Sequence, residues 1–240
     1  MLEANLTDRK FWANYWANYQ YEKIPKKTPF EYLMSKFKGK NSFIEIGGFP
    51  GVYAVYFYKH GCKEVSLLDF FIDNRMINKF EEKNSIPSNT IKSIESDFFK
   101  YETDKKYDIV FSFGFIEHFN DTKDVISRHV KLLADKGILL MIIPNFRGIN
   151  GLFQRIFDKS NFDAHNLQSM KKEHLKNILS ELGLKNIKVE YSRKPMVWLE
   201  PQIGTNFGRM CVKLFSYALK LFPVKCRLLS PFIIIYAEFS

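Results

Sequence analysis

From Ser42 onward the chain alternates between two hydrophobic patterns. Short, almost continuous apolar runs occupy Ser42 to Ile46, Glu64 to Asp69, Thr90 to Glu95, Tyr107 to Phe113 and Gly137 to Ile143. Their length and their content of Val, Ile and Phe predict buried strands. Apolar residues at three- and four-residue spacing predict helices over Val52 to His60, Asp73 to Lys83 and Thr122 to Ala134. Two further strands are expected at Asn186 to Tyr191 and Phe232 to Phe239. Apolar strands separated by helices predict an α/β fold: a seven-stranded, mostly parallel sheet covered by helices on both faces, with right-handed crossovers.

Residues 1–40 precede this alternation and predict an N-terminal helical extension. Trp12, Tyr15, Trp16 and Tyr19 fall on one helical face, and Thr28 and Pro29 mark the start of a second helix in PFEYLMSKFK. The aromatic face either packs on the domain or closes as a lid over a ligand. Residues 41–240 form the main domain, with insertions expected at 144–169 and 195–230. The first reads as loop at both ends around the amphipathic piece LFQRIF, and Ser169 is placed to cap a helix from Met170 to Leu182 that Gly183 stops. The second contains a basic amphipathic helix. Phe207, Met210, Cys211, Leu214, Phe215, Ala218 and Phe222 lie on one face, with Arg209, Lys213, Ser216 and Lys220 on the other. That face either packs on the protein or, over 207–222, makes peripheral contact with an anionic membrane or a lipid-linked substrate.

The stretch FIEIGGFPG, followed by a helix and then by LLD, carries the candidate chemistry. A strand, a glycine turn, a helix and a second strand form half of a nucleotide-binding unit. Asp69 lies about 20 residues past the glycines, where ribose hydroxyls require an acceptor. The turn lacks the GxGxxG order of a dinucleotide site and the Gly-Lys-Ser/Thr end of a P-loop. Glu45 at the strand end would repel a pyrophosphate and suits a cofactor with a positive charge and an amino group.

Composition narrows the class. The chain has 240 residues, 46% of them hydrophobic, enough for one substantial core. Cys62, Cys211 and Cys226 are far apart and lack zinc or disulfide spacing. Neither a signal-peptide pattern nor a membrane-length apolar run is present, so a cytoplasmic protein is expected. The net charge of +10 is spread along the chain without a recognisable nucleic-acid module. DNA is therefore excluded as a partner, and RNA enters only through an alternative reading.

Five segments in order then resemble the class I S-adenosylmethionine-dependent methyltransferases, and more narrowly their bacterial small-molecule and glycan-modifying members. EIGGFPG resembles the first motif, LLD the second, SDFF the third, YDIVFSFGFIEHF the fourth, and LLADKGILLMIIPNF the helix and strand that follow. The resemblance covers about residues 40 to 190 and implies a Rossmann-like sheet with S-adenosyl-L-methionine as cofactor. It implies cofactor-binding roles for Glu45, Gly47, Gly48, Gly51, Asp69, Phe70, Asp97, Phe98, Ser112 and Gly114. Asp69 would take the ribose, Asp97 and Phe98 the adenine, and the segment from Ser112 the methionine moiety. Phe49 and Pro50 depart from the usual small, polar turn.

Methyl transfer to a hydroxyl also needs a proton acceptor. His118, after the fourth strand, is the first candidate catalytic base, and His165, in the long segment after the fifth, is the second. No metal is expected, because Gly114 stands where some similar sequences, those of quinone biosynthesis, carry the first acid of an ExxEH arrangement. The expected reaction is O-methylation of a small-molecule or saccharide acceptor. The alternatives are an RNA methyltransferase and a catalytically degenerate cofactor-binding scaffold.

Overall fold

The computed structural model describes residue 16 and residues 23–199, 206–219 and 225–239. Seven strands, β1 (Ser42–Ile46), β2 (Glu64–Asp69), β3 (Ile91–Glu95), β4 (Tyr107–Phe113), β5 (Leu133–Pro144), β6 (Lys185–Tyr191) and β7 (Phe232–Glu238), form one sheet in the order β3-β2-β1-β4-β5-β7-β6. The first five are parallel, and β7 runs antiparallel to both β5 and β6. The order reverses between β1 and β4, so a crevice opens beyond their carboxyl ends.

Strand alternation splits the core into two layers. On one face Phe43, Val65, Leu67, Ile109, Phe111, Leu140 and Ile142 meet helices α1 (Val52–Lys59) and α2 (Asn74–Lys83). On the other, Ile44, Ile46, Val110, Leu139, Met141 and Ile143 meet α3 (Thr122–Lys131) and α6 (Lys172–Glu181). The segment between β5 and α6 holds two helices, α4 (Ile149–Phe157) and α5 (Lys159–Asp163), where a largely looped stretch is expected from sequence. Local polar chemistry sets several starts: Asp73 accepts from the Arg75 amide and Asp121 from the Asp124 amide, each supplying an N-cap.

Three local expectations change. The second N-terminal helix is a 3-10 helix, Glu31–Phe37, that begins after Phe30 without a Thr28 side-chain cap. Burial of Phe30, Leu33 and Phe37 against α1 holds it. Helix α3 stops at Lys131 because Leu133 already pairs with Tyr107, and an irregularity in β5 absorbs the residues before Ile138. Ser169 does not cap α6, since its hydroxyl donates to the Asn166 carbonyl and Lys171 is the N-cap residue. Of the aromatic face of the first helix, only Trp16 is described. Its ring meets Phe49 edge-on at 5.3 Å, and Trp12, Tyr15 and Tyr19 lie outside the described residues.

Helix α7 (Asn206–Leu219) packs differently from the face drawn by sequence. It buries Gly208, Val212 and Leu219 and sets Phe215 against Phe153 of α4, while Phe207, Met210, Leu214 and Tyr217 face outward. Gly208 fixes this choice, because a Cβ there would lie 2.8 Å from the Phe157 ring. No described helix is long and apolar enough to cross a membrane.

Candidate active site

The glycine turn joins the end of β1 to α1 and is held from three sides. Gly47 has φ +67° and donates its amide to the Leu68 carbonyl, and a side chain there would enter the Phe115 ring. At Gly48 a Cβ would stand 2.2 Å from Oε1 of Glu45, so only glycine lets the Glu45 side chain fold over the turn. Gly51 supplies the left-handed N-cap residue of α1. Phe49 is buried between the edges of Trp16 and Phe71, which makes it a packing residue, and its peptide bond to Pro50 is cis.

Glu45 is buried, and its Oε2 accepts the amides of Tyr53 and Ala54 in the first turn of α1. The carboxyl thus satisfies helix N–H groups that would otherwise lack partners. Burial pushes its pKa up to about 8, with Asp69 adding to the rise and the two amides opposing it. A carboxyl whose one oxygen takes both amides can keep its proton on the other.

Asp69 ends β2 with both oxygens engaged, Oδ2 by the Phe49 amide at 3.0 Å and Oδ1 by the Phe71 amide at 3.1 Å. Burial raises its pKa to about 6 against these bonds. Each oxygen has a second lone pair, so vicinal hydroxyls can still bind. Phe70, next to it, is exposed. At the end of β3, Asp97 accepts the Phe99 amide in a local turn and lies near Lys100, while Phe98 is buried edge-on to Phe115.

At the end of β4 the Ser112 hydroxyl donates to Nε2 of His129, whose Nδ1–H donates to the Val125 carbonyl. His129 is buried, and desolvation holds its pKa down at about 4, so it serves as a neutral packing residue. Gly114 follows with φ +65°, its amide on the Ile142 carbonyl. Next comes a 3-10 turn, Ile116–His118, with Glu117 buried and both of its carboxylate oxygens lacking a hydrogen-bond partner among the described residues.

The two candidate histidines meet. His165, 47 positions after His118 in the sequence, stacks at a tilt with ring centroids 4.6 Å apart, and Phe146 covers it at 4.5 Å. Asn166 brings the segments together. Its amide donates to the Glu117 carbonyl, and its side chain donates to the carbonyls of Phe119 and Asn120. Although His118 is exposed at one side of the pair, desolvation lowers the pKa of both histidines, that of His165 to about 4, with the charge of His118 adding to the fall. The sequence reading gave no role to Glu117 or Asn166. The signal for Glu117 was an acid and a histidine side by side within an otherwise apolar FIEHF; nothing local marked Asn166.

A family model described as a methyltransferase domain matches residues 15–189. No curated protein matches the chain. Among solved structures, an S-adenosylmethionine-dependent methyltransferase from Archaeoglobus fulgidus is 21% identical with a TM-score of 0.54, the match covering 89% of this chain and 95% of that one. One from Mesorhizobium loti is 13% identical with a TM-score of 0.57, covering 88% and 98%. The N-methyltransferase NodS from Bradyrhizobium japonicum, in complex with S-adenosyl-l-homocysteine, is 16% identical with a TM-score of 0.53, covering 90% of each.

Proposed function

Since the chain belongs to the methyltransferase domain family and uses S-adenosylmethionine, we propose that it methylates an oxygen of a sugar, a glycan or another small polar metabolite. S-adenosylmethionine, when bound, supplies an electrophilic methyl carbon on a positively charged sulfur. The residues beyond the strand ends fit it. Asp69, each of whose oxygens takes one backbone amide and keeps a lone pair, would hold the ribose hydroxyls, and the turn at Gly114 would border the methionine end.

Transfer to a hydroxyl breaks the carbon–sulfur bond, forms a carbon–oxygen bond and releases one proton. The supporting observation is the gathering of Glu117, His118 and His165 beside Gly114, where a Cβ would come 3.5 Å from Glu117 Oε1. Three proton-accepting side chains suit an acceptor that must give up a proton. Labelled S-adenosylmethionine with a panel of sugars, glycans and phenols, analysed by NMR, tests the reading. A methyl ether is expected, whereas label on nitrogen of amine acceptors, or on RNA alone, overturns it.

Delivery from a lipid surface forms part of the proposal. Leu152 and Ile156 of α4 and Phe207, Met210, Leu214 and Tyr217 of α7 are exposed. The two helices carry Arg155, Arg209 and Lys213 and no acid. Apolar residues flanked by cations suit an anionic bilayer. Co-sedimentation with phosphatidylglycerol vesicles at low salt is expected, and loss of binding in a Phe207→Ser, Leu214→Ser variant checks the surface. Failure of the wild-type chain to sediment refutes it.

A further inference from the structure

Glu117, His118 and His165 each offer a ligand atom, and the three atoms lie within 4.8 Å of one another. In this cluster each ring turns one nitrogen to a backbone carbonyl. Nδ1 of His118 faces the Ala164 carbonyl at 3.3 Å, and Nδ1 of His165 faces the Asn161 carbonyl at 2.5 Å. A carbonyl can only accept, so in each neutral ring Nδ1 carries the hydrogen and Nε2 holds the free lone pair. Both oxygens of the buried Glu117 are without a partner among the described residues. A buried carboxyl with no hydrogen-bond partner is costly in either protonation state, burial pushes its pKa up to about 8, and the site calls for a compensating group.

We infer that Glu117, His118 and His165 form a binding site for a divalent transition cation, with a donor set suited to Zn2+. Two imidazoles and one carboxylate make a borderline donor set, and the carbonyls on the two Nδ1–H groups orient the rings as outer partners of metal-bound histidines do. Ligands about 2.0–2.1 Å from a tetrahedral ion stand about 3.4 Å apart, so the cluster, now within 4.8 Å, closes by up to about 1.4 Å on binding. His118, on the accessible side, has room to make that adjustment. The arrangement differs from the ExxEH pattern considered in sequence, because the third ligand comes from the segment after β5, held by Asn166. Three protein ligands leave a fourth position open. On the reading given under Proposed function, that position takes the acceptor oxygen and lowers the pKa of its hydroxyl, whose proton passes to solvent while the three side chains serve as ligands in place of bases; this role rests on that reading. Binding of the ion does not.

The test is calorimetry of the full chain, stripped with EDTA, titrated with Zn2+ in the absence of cofactor and acceptor, with Mg2+ as a hard-cation control. One Zn2+ per chain at micromolar affinity or better is expected, with Co2+ giving the visible bands of a tetrahedral site. Glu117→Gln and His165→Asn should each weaken Zn2+ at least tenfold. Glu117→Gln removes a buried unpartnered carboxylate, so the apo variant should unfold no earlier than the wild type, which separates ligand loss from misfolding. Zn2+ bound equally by wild type and both variants, or not bound at millimolar concentration, overturns the site. Zn2+ binding that obeys the variants in a protein without O-methylation leaves the site standing and removes the proposed acceptor.

Discussion

Glu45 ties the pH dependence of folding to the glycine turn. Its carboxyl titrates at about 8 in the folded chain against 4.5 for the unperturbed group, chiefly because it is buried. Between these values the folded protein holds a proton that the unfolded chain has released. Stability from this group is therefore complete below about pH 4.5 and is lost as pH rises toward 8. For a single site with these two values, the loss between pH 5 and pH 8 is about 3.5 kcal/mol. Asp69, raised to about 6 by its own burial, slopes in the same direction, so the wild-type curve alone does not isolate Glu45. Glu45→Gln does, since its amide oxygen can keep the Tyr53 and Ala54 bonds while the titrating proton is removed. The assay is urea unfolding of both proteins at pH 5, 6, 7 and 8 without cofactor. The variant should gain about 3 kcal/mol on the wild type across that range. Parallel curves would show that Glu45 is ionised in the fold, and the argument from burial would fail.

Gly48→Ala forces a methyl group onto the Glu45 carboxyl and should cost about 1–3 kcal/mol, read as a lowered unfolding midpoint, with weaker S-adenosylhomocysteine binding. Asp69→Ala frees the Phe49 and Phe71 amides and removes the ribose acceptor; calorimetry should show cofactor affinity reduced about 10- to 100-fold. Asn166→Ala unpins the segment that carries His165, so turnover should fall about 10- to 100-fold while cofactor affinity holds, seen by comparing initial rates with calorimetry.

The periodicity of the chain determined its elements and their order. Apolar runs too short for helices had to be strands, helical stripes had to cover them, and acids and glycines at strand ends had to meet at one edge of a parallel sheet. Asp69 and the Gly47–Gly48 turn were legible for that reason, since their positions follow from secondary structure alone. Tertiary packing decided where side chains point and which distant segments meet. Glu45 turns to the amides of α1 because the space over Gly48 is empty. Ser112 turns away to His129, because that buried imidazole needs a donor. Gly208 lets Phe157 approach, and so selects which side of α7 is covered. His165 reaches His118 through Asn166, whose hydrogen bonds to backbone carbonyls leave no pattern in the sequence, and through the Ala164 carbonyl. Local propensity and spacing act over a few residues, whereas the partners of a buried polar group are set by the whole fold.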